Sequence, residues 1–146
     1  MKLRLKGAKG ILAGPKLDWT GLEEITVDFE GREGICALEG ENGAGKSTVL
    51  ENLHFYPSLI SRSGSLWQHF TGRDAEREFW DEYMGHSYHG LIKMDCQAHK
   101  MEGYLWIDGA VASCCNQKIS EYTKKLEEIF GSPETYFRAR FSPQRS

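Results

Sequence analysis

The stretch Gly40-Glu41-Asn42-Gly43-Ala44-Gly45-Lys46-Ser47 meets the pattern GxxxxGK[ST] in full, and Thr48 follows it directly. Before it, a turn at Gly31-Arg32-Glu33-Gly34 leads into the short apolar run Ile35-Cys36-Ala37-Leu38, which reads as a buried strand. After it, Val49, Leu50, Leu53 and Phe55 predict a helix that starts at the end of the motif and stops at Pro57. Strand, glycine-rich turn and helix form the context in which this pattern cradles phosphate. The glycines let the backbone curl so that successive N–H groups point inward, and the following helix adds its partial positive N-terminus. In such a P-loop (Walker A), Asn42, Gly43, Ala44, Gly45, Lys46, Ser47 and Thr48 bind the nucleotide. Lys46 sets its ammonium between the β- and γ-phosphates, the Ser47 hydroxyl ligates Mg²⁺, and Thr48 reaches the α-phosphate.

Outward from the motif, Leu3 and Leu5 alternate with Lys2, Arg4 and Lys6, and Ile25, Val27 and Phe29 repeat the alternation. Both read as half-buried strands, joined by a glycine-rich loop from Gly7 to Gly21. Beyond Pro57, Ser58 to Ser65 reads as a mobile loop. Asp74 to Tyr83, charged and carrying Phe79, Trp80 and Tyr83, reads as a surface helix. Tyr88 to Asp95 and Gly103 to Asp108 predict an antiparallel hairpin. Ile119, Tyr122, Leu126, Ile129 and Phe130 line one face of an amphipathic helix over 118–130 that Gly131 ends. Ser132-Pro133-Glu134 then caps a short helix with proline at its first position. The expected organisation is one unit in four parts: 1–57 with the P-loop and its helix, 58–86 with loop and surface helix, 87–117 with the hairpin, and 118–146 with the last helices.

The bulk composition narrows the class. At 146 residues, 40% hydrophobic and 27% charged, the chain has the size and composition of one folded domain or lobe rather than of a disordered segment. A net charge of −3 argues against a generally basic surface, so any contact with nucleic acid must be local. No apolar run reaches the roughly 20 residues that span a bilayer, and Met1-Lys2-Leu3-Arg4-Leu5-Lys6 has no apolar signal core. A soluble, cytoplasmic protein without a membrane partner is the expectation. Cys36, Cys96, Cys114 and Cys115 form no CxxC pair, which suits a reducing compartment.

The string from Gly40 to Thr48 resembles the P-loop of ABC-class and SMC-class ATPases, and Ile25-Thr26-Val27-Asp28-Phe29 looks like the strand that precedes it in those families. Phe130-Gly131-Ser132-Pro133-Glu134, Tyr136-Phe137 and Phe141-Ser142-Pro143-Gln144 resemble the segment leading into the Q-loop of SbcC, an SMC-like ATPase that works with the SbcD nuclease on DNA ends. The resemblance implies a mixed α/β P-loop NTPase fold, namely the N-terminal lobe of an ATPase head, with an antiparallel β portion beside the P-loop strand and helix. It implies ATP and Mg²⁺ as cofactors, and Lys46 and Gln144 as catalytic residues, with Ser47 and Gln144 at the metal. It also implies as partners the C-terminal lobe of the same ATPase, a second copy in an ATP-dependent dimer, an SbcD-type nuclease, and DNA through the assembled complex. Arg145 follows Gln144 where many members of the family have glycine. The distance from Lys46 to Gln144 exceeds that in the similar but more compact ABC transporter ATPases, so the SMC-like branch leads. The alternatives are a transporter ATPase fragment and a non-catalytic nucleotide-gated regulatory module.

Two elements of a complete ATPase of this class are missing from the sequence: an apolar strand ending in Asp-Glu, to hold Mg²⁺ and polarise water, and a serine-glycine signature motif. The chain is therefore expected to bind ATP but not to hydrolyse it alone. His86, His89, Cys96 and His99 have spacings that zinc ligands use, but residues three apart on a strand face opposite ways, and ordinary turn and strand roles are favoured. Cys114-Cys115 has no adjoining base and reads as packed or looped. Lys2, Arg4 and Lys6 read as the guarded face of an edge strand rather than a phosphate contact. Trp67, Phe70, Phe79, Trp80 and Tyr83 read as helix packing rather than a base-stacking platform.

Overall fold

In a computed structural model, the protein is described over residues 1–8, 24–28, 51–59, 64–115 and 117–141. A six-stranded sheet organises these residues, formed by β1 (Lys2–Lys6), β2 (Glu24–Asp28), β3 (Ala75–Tyr83), β4 (His86–Asp95), β5 (Lys100–Ile107) and β6 (Gln117–Lys118). The order is β2-β1-β3-β4-β5-β6, and each neighbouring pair is antiparallel. Two helices follow, α1 (Ile119–Phe130) and α2 (Pro133–Phe141).

Side-chain alternation divides the sheet into two faces. Leu3 and Leu5 of β1, Ala75 and Phe79 of β3, Tyr88, Ile92 and Met94 of β4, and Leu105 of β5 all turn into the core. Against that face α1 lays Tyr122, Leu126 and Phe130, the buried stripe that the 3.6-residue period predicts. The Tyr122 ring comes so close to β5 that a Cβ on Gly103 would sit 2.5 Å from its Cγ. Gly131, with φ of 83°, ends α1 as its sequence position foretells, and the Ser132 hydroxyl accepts from the Thr135 N–H at 3.1 Å to open α2.

β3 corrects the sequence reading most directly, because 75–83 is a strand and not a surface helix. Its inward row is Ala75, Arg77, Phe79 and Asp81, all buried, and its outward row carries Trp80. Charges inside and an aromatic outside invert the usual alternation, which left Phe79, Trp80 and Tyr83 to suggest a helical face. A two-residue turn, Met84-Gly85, joins β3 to β4 with φ of 53° and 84°, the paired positive dihedrals that match the twist of a tight hairpin. The predicted hairpin of 88–95 with 103–108 is present as β4 and β5, slightly longer at its start.

Two further expectations change. Helical geometry ends at Glu51, and Asn52 already lies in a turn, so Leu53 and Phe55 are not helical. β1 is no edge strand, since it pairs with β2 on one side and β3 on the other. Arg4 on its outer face forms ion pairs with Glu76 and with Glu78, the latter at 2.6 Å, and the Lys2 ammonium lies 4.8 Å from the centre of the Trp80 ring. At 58–65 the described ends are joined by a bridge between Ser58 and Ser65. No helix among the described residues is long and apolar enough to cross a membrane.

Candidate nucleotide-binding site

Gly40 to Thr48 and Gln144 lie outside the described residues, as do the strand read at Ile35–Leu38 and the loop over 9–21. The geometry concerns the chain that leaves the P-loop on one side and the helix that approaches Gln144 on the other. Both are anchored in one aromatic cluster.

From Asn52 to Tyr56 the chain is buried: Leu53, His54, Phe55 and Tyr56 each expose 1% or less. Phe55 is the hub. Its ring lies 4.8 Å from Phe79, edge-on, and 5.3 Å from Phe130, stacked, with Tyr88 and Tyr136 at 6.4 and 6.1 Å. Such pairs contribute about 0.5–1.5 kcal/mol each beyond their burial. Hydrogen bonds fix the backbone of the same segment. The Tyr122 hydroxyl donates to the Phe55 carbonyl at 2.5 Å, and Arg77 Nη2 donates to the Tyr56 carbonyl, also at 2.5 Å. The Tyr56 hydroxyl in turn donates to the Gly131 carbonyl at 2.7 Å, between α1 and α2.

Burial sets the electrostatics. Desolvation lowers the Arg77 pKa to about 10, an effect that the Tyr122 hydroxyl opposes, so the guanidinium stays charged at neutral pH. His54 is held well below its usual pKa, first by burial and then by the Arg77 charge beside it. Its Nδ1 accepts the Tyr56 N–H at 3.0 Å, which leaves the proton of the neutral ring on Nε2. Neither Arg77 nor His54 was singled out by sequence reasoning. A lone arginine in a charged run and a histidine in a predicted helix give no signal of burial.

On the far side, α2 brings Tyr136 into the same cluster, 6.2 Å from Tyr56 and 4.9 Å from Phe130. The described chain after Ser47 and the helix before Gln144 thus share a packed core.

The remaining residues singled out in the sequence fall in separate places. His86 Nδ1 lies 2.7 Å from Asp108, His89 Nε2 lies 2.5 Å from Glu78, and His99 stacks on Trp67 at 4.0 Å. Burial opposes ionisation of Glu78, but hydrogen bonds from His89 and Arg4 outweigh it and hold the carboxyl below its usual range. Among the described residues no three His, Cys, Asp or Glu side chains converge as metal ligands. Trp80, His89 and Trp106 stack across the outer face at centroid spacings of 4.6 Å, so these rings turn faces to one another rather than to solvent.

No family model matches the chain. Over 112 residues, 72% of its length, it is 30% identical to the DNA double-strand break repair Rad50 ATPase of Methanococcus maripaludis. Over 125 residues, 83% of its length, it is 29% identical to the DNA replication and repair protein RecF from two strains of Desulfitobacterium hafniense. The chain spans 10% of the Rad50 protein and 31% of the RecF proteins. A sheet with flanking helices, on a sequence that carries a full P-loop pattern, is thus similar to DNA repair proteins of which one is an ATPase.

Proposed function

We propose that the chain is the ATP-binding N-terminal lobe of an SMC-like ATPase in DNA double-strand-break repair or recombination. The observation that carries this reading is the coincidence of an intact P-loop pattern with similarity to Rad50 and RecF over most of the chain. Gly40 to Thr48 would wrap the phosphates of ATP, Lys46 would neutralise the β,γ-bridge region, and Ser47 would ligate Mg²⁺. Gln144 would contact the same Mg²⁺ and the attacking water. Phe55, seven residues after Thr48, and Tyr136, eight residues before Gln144, pack in one cluster, which supports the reading of both segments as parts of one lobe.

Hydrolysis needs an acidic group and a signature motif, which the SbcC resemblance assigns to a C-terminal lobe and to a second copy. An ATP-dependent dimer, an SbcD-type nuclease and DNA complete the proposed assembly, and the location is cytoplasmic. The repair relatives favour this reading over a transporter ATPase fragment.

Phosphate release by the purified monomeric chain tests the division of labour. The expected rate with Mg²⁺ and ATP equals that of a Lys46→Ala control. Release clearly above that control would overturn the proposal that catalysis depends on parts supplied from elsewhere.

A further inference from the structure

Cys114 and Cys115 stand in the loop between β5 and β6 with their sulfurs 3.8 Å apart. Cys114 is exposed and Cys115 is buried. The loop is pinned on both sides of the pair. Ser113 Oγ accepts the N–H of Leu105 at 2.9 Å and that of Cys115 at 3.1 Å, and the Cys114 N–H donates to the Leu105 carbonyl at 2.8 Å. The two thiols are therefore held against β5 by backbone bonds that do not involve either sulfur.

The spacing has chemical meaning. A tetrahedral ion with metal–sulfur bonds of about 2.3 Å holds two sulfurs about 3.8 Å apart. A disulfide requires about 2.05 Å and a favourable dihedral, so oxidation would have to draw the sulfurs together and strain the peptide between them. The geometry points to Cys114 and Cys115 as a two-thiolate site for a soft, thiophilic ion, of the class that includes d¹⁰ divalent cations and trivalent arsenic, with exogenous ligands filling the remaining positions. Thiolates select such ions over hard cations. Burial shields the Cys115 sulfur from solvent, and each thiol gives up its proton when it binds an ion. One exposed sulfur to capture the ion and one buried sulfur to retain it is a division of roles that the fold provides.

Phenylarsine oxide is a suitable probe because it needs two thiols at this span. Two S–H bonds break, two As–S bonds form, and the arsenic-bound oxygen leaves as water with both protons, the arsenic remaining trivalent. The reduced full chain is treated with one equivalent and read by intact mass and by counting thiols that still react with maleimide. One arsenical per chain is expected, with two thiols lost together. Cys114→Ser at the exposed position should abolish the adduct, while Cys96→Ser and Cys36→Ser should keep it. A parallel titration with Cd²⁺ should give thiolate-to-metal absorption in the wild type and none in Cys114→Ser. No adduct on the wild-type chain, or an adduct that survives Cys114→Ser, would overturn the assignment.

Discussion

The Tyr136 hydroxyl donates to Oδ2 of the buried Asp81 carboxylate at 2.8 Å, tying α2 to the inward row of β3. A hydrogen bond of this kind contributes about 0.5–1.5 kcal/mol net. Tyr136→Phe keeps the ring in the cluster with Phe130 and Tyr56 and removes only the hydroxyl. It should lower unfolding free energy by about that amount, read by urea denaturation. An unchanged midpoint would show that the bond contributes nothing net.

Gly103 tests the close approach of α1 to the sheet. A Cβ there would meet Tyr122 Cγ at 2.5 Å and Cβ at 2.6 Å, distances that the packed stem of a helical side chain cannot relieve by rotation. Gly103→Ala should destabilise by about 1–3 kcal/mol, the usual cost of overpacking. Gly109→Ala is a comparison of a different kind, since nothing lies within 4 Å but φ is 74°, so its cost would come from backbone conformation alone.

His54 predicts a pH dependence. Its folded pKa lies below the ordinary value of 6.5, so just under pH 6.5 the unfolded chain binds a proton that the folded chain refuses. Stability is therefore complete above 6.5 and falls as the pH drops below it, with a slope approaching about 1.4 kcal/mol per pH unit for one proton. His54→Asn retains an acceptor for the Tyr56 N–H and removes the titration. The variant should be flatter than the wild type between pH 5.5 and 7, even if less stable throughout. Parallel curves would exclude His54 as the source.

Much of this architecture is written in local pattern. Leu3 and Leu5 announce β1, the runs around Tyr88 and Gly103 announce the β4–β5 hairpin, and Tyr122, Leu126 and Phe130 announce α1. β3 was hidden because Arg77 and Asp81 occupy inward positions that pattern reasoning reserves for apolar residues. They can do so because tertiary partners receive them, the Tyr56 carbonyl and the Tyr136 hydroxyl, and such partners leave no mark in a local window. The interior place of β1 was equally hidden, since pairing with β3 joins residues far apart in sequence. In the candidate site, the P-loop pattern is legible from residue types at fixed spacing. The anchoring of the chain around Phe55 is a property of the assembled core.

Binding of ATP by the purified chain, followed by calorimetric titration with and without Mg²⁺, tests the central claim most directly. The wild type should bind one ATP per chain, more tightly with Mg²⁺, and Lys46→Ala should weaken binding at least about tenfold, or roughly 1.4 kcal/mol. A wild-type chain that binds no ATP, or a Lys46→Ala chain that binds it equally well, would contradict the assignment of Gly40 to Thr48 as the nucleotide site.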